Sequence, residues 1–350
     1  MLENLTTTAK PVILAPMVSY SHLPFRMLAK NYGADLTFTP MIHTRMYQQP
    51  KYRDHFKLTD KCIAQICGNN VEDIMKTCRL LEPNVSAIDL NLGCPQGIAS
   101  RGNYGAFLME QPDTVSEIVK ALSTGLNVPV SCKVRVFNQY EETLKWCQML
   151  VESGAEMITV HGRTRKQRGS NSGLADWRQI KKLKQALSVP VVANGNILYS
   201  DDIEKALKYT GCDGLMIAET ALYHPGIFNG TVKPVYEFAK EYLDICMNSC
   251  PDSISSVHKG HIFKFFRQFC KVDNDLSVKL SKANELMPII EEWEDRIKSR
   301  YDVIITSARD VDFEFDENGY RDIPIYLTQP HIRDRKLGAY EPPTVESESI

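Results

Sequence analysis

One thiol stands apart from the other nine in this 350-residue chain. Cys94 lies in Asp89-Leu90-Asn91-Leu92-Gly93-Cys94-Pro95, directly after a β-branched run, on a loop stiffened by glycine and proline. A side chain held there faces whatever ligand reaches the end of that run. Its ordinary pKa of about 8.5 leaves it mainly protonated near neutrality, so it can act as a general acid or, once ionised, as a nucleophile. Lys133 and His161 end the next two apolar runs and would bring an ammonium and an imidazole to the same place. Such a pair stabilises negative charge that builds up on a bound redox group. The bland alternatives are a lysine paired with a nearby carboxylate, a histidine satisfied by backbone, and a cysteine that is a small hydrophobe. That last reading holds for Cys62, Cys67, Cys132 and Cys212, which sit in or beside core-like runs. The cysteines form no Cys-x-x-Cys pair, so reduced thiols and no metal are expected.

Short runs bounded by Pro, Gly or Asp position these groups: Val12 to Leu14, Leu36 to Thr39, Ile63 to Ile66, Ala87 to Leu90, Val130 to Val134, Met157 to Val160, Val191 to Ala193 and Leu215 to Ile217. Stretches of helical periodicity lie between most of them, such as Thr114 to Leu122, Glu141 to Ser153, Trp177 to Leu187 and Asp201 to Tyr209. Eight alternating units predict an α/β fold, a (β/α)8 TIM barrel over residues 10–230, in preference to an open doubly wound sheet. Chemistry in a barrel collects at the C-terminal ends of the strands. Pro16 and Met17, Gln65, Asn91, Lys133 with Arg135, His161 with Arg163, Asn194 with Gly195, and Ala218 with Glu219 all follow the runs and form a candidate ring. Asn194-Gly195-Asn196 and Ala218-Glu219-Thr220 occupy the last two loops, where barrels build phosphate sites from backbone N–H groups. A Gly-x-Gly-x-x-Gly fingerprint is absent from the strand-to-helix turns, which disfavours a Rossmann-type dinucleotide site and suits a phosphate-bearing flavin better.

Beyond Pro225 the alternation stops. Tyr236 to Met247, Ser256 to Cys270 and Leu276 to Lys298 read as amphipathic helices, giving a smaller helical domain over 231–300 and a partly mobile tail over 301–350. Lys259, Lys264 and Arg267 lie among interleaved phenylalanines, so this stretch is either an RNA-facing surface or a Phe core with a solvated charged face. The chain as a whole carries 41 Lys and Arg against 43 Asp and Glu, a net charge of −2, so any attraction to nucleic acid must be local. The first apolar run, Pro11 to Val18, is too short to span a bilayer and lacks the flanks of a signal peptide, which predicts a cytoplasmic or nuclear protein.

Five segments, taken in order, resemble the tRNA-dihydrouridine synthases. They are Ala15-Pro16-Met17, Asn91-x-Gly93-Cys94-Pro95, Lys133-x-Arg135, His161-Gly162-Arg163-Thr164-Arg165 with Asp176-Trp177, and Ala193-Asn194-Gly195-Asn196-Ile197. Gln167-Arg168-Gly169 and Gly173-Leu174-Ala175-Asp176-Trp177 are most similar to the eukaryotic subgroup acting on D-loop positions 16 and 17. The resemblance implies FMN held by Pro16, Met17, Gln65, Lys133, His161, Asn194, Gly195, Asn196, Ala218 and Glu219, with NADPH as reductant. It further implies Cys94 as proton donor to the uracil C5–C6 bond, and Asn91, Arg135, Arg163, Lys259, Lys264 and Arg267 as substrate contacts. The partner would be tRNA and the enzyme a monomer. Where many members carry Gly-Arg-Gly, this chain has Ala218-Glu219-Thr220, and the loop before Gly173 lacks their aromatic residue. Two other classes compete: an FMN barrel reducing a small molecule, and a non-catalytic RNA-binding protein on a relic barrel.

Overall fold

Parity along parallel strands decides which residues reach the centre of this protein. A computed structural model describes residues 10–56, 58–249, 256–301 and 308–332, except the side chains of Ser170 and Ser256. Nine parallel strands are present: β1 Val12–Leu14, β2 Leu36–Thr37, β3 Ile42–His43, β4 Ile63–Cys67, β5 Ala87–Leu92, β6 Val130–Arg135, β7 Met157–His161, β8 Val191–Asn194 and β9 Gly214–Ile217. They run β2-β1-β9-β8-β7-β6-β5-β4-β3. The open ends meet at a parallel bridge between Phe38 and Ile63, where Thr39 N–H donates to the Ile63 carbonyl at 2.9 Å. β2 and β3 are thus the two halves of the second barrel strand, one pairing with β1 and the other with β4. Pro40, between them, has no N–H to continue the ladder. The result is the expected (β/α)8 barrel, with each of the eight runs in place.

Alternate residues point inward. Ile13, Phe38, Ile63, Ala87, Met157, Val192 and Met216 fill the lower lumen as one apolar cluster, separate from the larger core between strands and helices. Parallel sheets are stable only when both faces are covered, and here the outer face carries Leu14, Ile66, Leu90, Cys132, Val160 and Leu215 against the helices. Side-chain caps start several helices: Asn70 Oδ1 accepts the Asp73 N–H at 2.9 Å, and Asp176 Oδ1 accepts the Arg178 N–H at 2.9 Å.

The helical region follows as Val235–Ser249, Ser256–Phe265, Arg267–Val272, Asn274–Lys282 and Met287–Arg300. The last four replace the two longer helices that periodicity suggests. Phe266 leaves the helical range at φ −85° and ψ 14°, and Pro288 opens a new first turn. Phe265, Phe266 and Phe269 are buried, so the phenylalanines of this stretch are core. That core is continuous with the barrel's: Val235–Ser249 packs on Leu23–Asn31 through Phe25 with Tyr242 and Tyr32 with Phe238. Residues 308–332 return to the barrel, where Ala308–Arg309 pairs with Thr231–Val232 and buried Asp310 accepts from the Ser200 N–H at 2.7 Å. Arg333, Pro342, Pro343 and the final dozen residues lie outside the described residues.

His261 is fully buried at the seam between barrel and helices. It stacks on Phe25 at 4.3 Å between centroids and shares a hydrogen bond of 3.0 Å with the Tyr20 carbonyl. Burial, then the neighbouring His258, holds its pKa well below 6.5. The unfolded chain therefore binds a proton below 6.5 that the folded chain refuses, and stability present above that pH is lost as pH falls. Melting temperature should drop between about pH 7 and pH 5. His261→Gln, which keeps a donor for Tyr20, should show a smaller drop in the same melts.

Candidate active site

Toward the C-terminal ends of the strands the inward positions turn polar. β4 contributes Gln65, β5 Asp89 and Asn91, β6 Ser131, Lys133 and Arg135, β7 Thr159 and His161, and β8 Asn194. Register places Lys133 beside Asn91 on one side and Thr159 on the other, and His161 beside Arg135 and Asn194. The mouth is therefore a short ladder of polar rungs above an apolar plug.

Its hydrogen bonds are specific. Gln65 Nε2 donates to Asp89 Oδ2 at 2.8 Å, Ser131 Oγ to Asp89 Oδ1 at 2.7 Å, and Asn91 Nδ2 to Gln65 Oε1 at 2.8 Å. Lys133 Nζ donates to Asn194 Oδ1 at 2.9 Å, and Asn194 Nδ2 to the Met216 carbonyl at 2.8 Å. Arg163 approaches His161 Nε2 at 3.0 Å and donates to Asn196 Oδ1 at 3.1 Å. Asn196 in turn exchanges two bonds with the backbone of Ala175, tying the loop after β8 to the loop after β7.

Cys94 sits on the loop after β5, half-buried. Asn91 Oδ1 accepts from its N–H at 2.9 Å, while its carbonyl accepts from the Ala106 N–H at 3.0 Å. Arg135 Nε holds the preceding carbonyl, that of Gly93, at 2.8 Å, and its Nη1 holds the carbonyls of Thr164 and Gln167. Gly105 lies against the cysteine at φ +64°, where a Cβ would fall 2.8 Å from the Cys94 carbonyl oxygen. Gly195, at φ +119°, could carry no Cβ either, since it would come 2.6 Å from that of Ala175.

Electrostatics follow from this crowding. Burial lowers the Lys133 pKa to about 8, with Arg135 pushing the same way and Asp89 opposing. Burial raises Asp89 to about 6 against its hydrogen bonds from Gln65 and Ser131. His161 is held well below 6.5 by burial and then by Lys133, so it is neutral at physiological pH. Burial also lifts the Cys94 thiol above its ordinary value, although Arg135 and Lys133 oppose the shift. Cys94 is thus a thiol, within the field of Lys133, at neutral pH.

The remaining candidates spread around the rim. Pro16 and Met17 follow β1, and the Met17 N–H donates to Ser21 Oγ at 3.0 Å. Ala218 and Glu219 enter the helix Glu219–Tyr223, and the Thr220 hydroxyl donates to the Ile197 carbonyl, fastening the loop after β9 to that after β8. Lys264 reaches the Tyr223 hydroxyl at 2.7 Å and lies over the rings of Tyr223 and Tyr20, at 4.6 and 5.4 Å. Arg267 is 6.0 Å from the Tyr223 centroid, with a buried Nε that meets no partner among the described residues. Lys259 lies on the same helix as Lys264 and touches the Ser281 carbonyl at 3.4 Å. Sequence reasoning did not single out Asp89, Ser131 or Thr159, although their inward parity with Lys133 was readable. Tyr20 and Tyr223 offered no comparable signal. Among the described residues there is no His, Cys, Asp and Glu cluster able to hold a metal, and no helix long and apolar enough to cross a membrane.

Comparison with known proteins gives this geometry a family. The family model described as dihydrouridine synthase matches residues 13–299. A Schizosaccharomyces pombe protein named tRNA-dihydrouridine(16/17) synthase, NAD(P)(+), is 37% identical over 349 residues, covering 92% of this chain and 87% of that one. Its Saccharomyces cerevisiae namesake is 36% identical over 353 residues, covering 92% and 83%. Among solved structures, a 2-naphthoyl-CoA reductase complex is similar in fold, with a TM-score of 0.51 at 11% identity over 65% of this chain and 52% of that one. The extent of the sequence matches decides the matter: this chain belongs to the dihydrouridine synthase family.

Proposed function

We propose that this protein reduces the C5–C6 bond of D-loop uridines in tRNA, at positions 16 and 17, with FMN as resident cofactor, NADPH as external reductant and Cys94 as proton donor. The observation that carries the reading is the convergence of the Cys94 thiol, the Lys133 ammonium and the His161 imidazole on one barrel mouth. The names of the two yeast relatives support the substrate, its positions and the NAD(P) dependence.

The residues present fit a phosphate-bearing flavin. Burial depresses the pKa values of Lys133 and Arg135, to about 8 and about 10, and Arg135 pushes Lys133 further down, so this mouth gains by accepting an anion. The Asn194-Gly195-Asn196 turn and the Ala218-Glu219 helix start offer backbone N–H groups for a phosphate, and Pro16, Met17 and Gln65 complete the wall. Reduced FMN bound there would supply a hydride to C6 of the uracil.

The chain's own residues do the rest. Cys94 keeps its proton at neutral pH because burial raises its pKa, so the thiol can protonate C5 as C6 gains the hydride, leaving a thiolate that solvent reprotonates. Arg135 and Asn91 hold the carbonyl and N–H sides of the thiol's loop, and Arg163 braces His161 and Asn196. A D-loop uridine must leave its stack to enter, which costs a few kcal/mol and least for an unpaired base. Lys259, Lys264 and Arg267 on the rim offset that cost through phosphate contacts, a local basic surface on a chain of net charge −2.

Three outcomes test this. Cys94→Ala should retain the yellow cofactor yet lose dihydrouridine formation by roughly 10²- to 10⁴-fold in single-turnover assays on tRNA; unchanged turnover removes Cys94 from the reaction. FMN affinity, read by quenching of flavin fluorescence, should weaken by about tenfold per pH unit above the Lys133 pKa of about 8, because the discharged amine must regain a proton to bind the anion. Lys264→Ala and Arg267→Ala should each weaken tRNA binding and reduce the slope of log affinity against log salt by about 1, with flavin content unaltered.

A further inference from the structure

A line of hydrogen bonds runs from the lumen to the thiol's loop, and its polarity can be followed from one end. Ser131 Oγ and Gln65 Nε2 donate to the two oxygens of Asp89. Asn91 Nδ2 donates to Gln65 Oε1 at 2.8 Å, and Asn91 Oδ1 accepts the N–H groups of Cys94 at 2.9 Å and Gly93 at 3.1 Å. Asp89, Gln65 and Asn91 are 0%, 1% and 9% exposed, so water competes little with these bonds. An ionised carboxylate can only accept. Asp89 therefore draws the amide nitrogen of Gln65 toward itself, which turns the Gln65 oxygen to Asn91. That fixes the Asn91 nitrogen and leaves its oxygen for the loop. With either amide reversed, buried donors would face donors, a loss of about 1–3 kcal/mol for each group left unpaired.

We propose that Asp89 is a positioning residue: the acceptor-only end of this line, it orients both amides and so holds the Cys94 loop where the thiol can deliver its proton. The last clause rests on the reaction proposed above; the orientation of the loop does not. The other restraints on the loop from Arg135, Ala106 and Arg168 grip its carbonyls, and the Gln96 N–H reaches the Cys94 sulfur, so the N–H groups of Gly93 and Cys94 depend on Asn91 and through it on Asp89. Burial lifts the Asp89 pKa to about 6, opposed by the hydrogen bonds of Gln65 and Ser131 and then by Lys133. The titratable groups that feel it are Lys133 and Cys132, both on β6, while β4 presents only the uncharged Gln65. Acidification through that pH converts one acceptor to a hydroxyl and relaxes the polarity of the line.

The experiment compares Asp89→Leu, which removes the acceptor, with Asp89→Asn. The latter keeps an oxygen for Gln65 and turns its nitrogen to the Ser131 hydroxyl. Amide hydrogen exchange at Gly93 and Cys94, iodoacetamide labelling of Cys94, flavin content, and kcat and KM on tRNA are measured for each. With FMN supplied at saturating concentration, Asp89→Leu should lose amide protection at both positions, label at an altered rate and lose about 10- to 100-fold in kcat with KM kept; Asp89→Asn should restore all of these toward wild type. Unaltered protection in Asp89→Leu overturns the proposal, as does an Asp89→Asn chain impaired to the same degree. Should Asp89→Leu not fold, the wild-type chain decides: protection at Gly93 and Cys94, corrected for intrinsic exchange, must fall as pH passes below about 6, and constant protection overturns the proposal. If exchange behaves as expected while no chain forms dihydrouridine, the reading of the reaction fails and the positioning of the loop stands.

Discussion

The site depends on strand parity inside a closed parallel barrel. Each strand gives alternate side chains to the lumen, and the lower inward positions carry Ile13, Phe38, Ile63, Met157, Val192 and Met216. This apolar plug stops water from entering below and gives the polar rungs above it a low-dielectric floor. A one-residue slip in β6 would send Cys132 and Val134 inward and Lys133 out, exchanging the chemistry for core. The volume and register of the plug therefore set the height at which Lys133, His161 and Asn194 enter the mouth.

On that floor, charge is costly unless it is answered. Lys133 loses affinity for its proton to burial and to Arg135, and Asp89 answers it only in part because burial also drives Asp89 toward its neutral form. Each of the two ions stabilises the other's charged state, so removing either alters both. Asp89→Leu therefore acts on Lys133 as well as on the amide line, and the Asp89→Asn comparison separates the effects. Asparagine removes the charge and keeps the acceptor. The neutral imidazole of His161 fits the same account, since a third buried cation between Lys133 and Arg163 would be repelled by both.

The order of the barrel strands, and the residues that end them, were legible because β-branched runs, Gly and Pro turns and inward parity are local properties. All eight runs became barrel strands, and the ring of candidates from Gln65 to Asn194 lies at one mouth. The split of the second strand depends on closure against β4, a contact between residues far apart in sequence. Roles were less legible than positions. Asn91 and Arg135, expected to touch substrate, spend at least part of their hydrogen-bonding capacity on the loops around Cys94, and a donor inventory cannot say which carbonyl will claim a guanidinium. Apolar periodicity overextends the helices beyond residue 250: buried Phe266 continues the period while its backbone leaves the helix, and Pro288 starts a separate helix within the second.

Tyr223 links the helical region to the mouth. It ends the short helix after β9, its hydroxyl accepts from Lys264, and its ring lies 5.0 Å from that of His331. Residues 308–332 reach that point through two buried anchors: Asp310, which accepts from the Ser200 N–H, and Thr328, which lies 3.3 Å from His224 Nδ1. Ser200 follows β8, and His224 directly follows the helix that begins after β9, so both anchors attach to the segments that continue from the turns proposed to hold a phosphate. Gln329 then meets Gln268, one residue beyond Arg267, at 3.3 Å. The basic rim is therefore assembled by three segments distant in sequence, all fixed to one side of the barrel mouth. Local clustering of this kind is what the proposed function requires of a chain with slightly more acids than bases: a cationic edge for an anionic polymer.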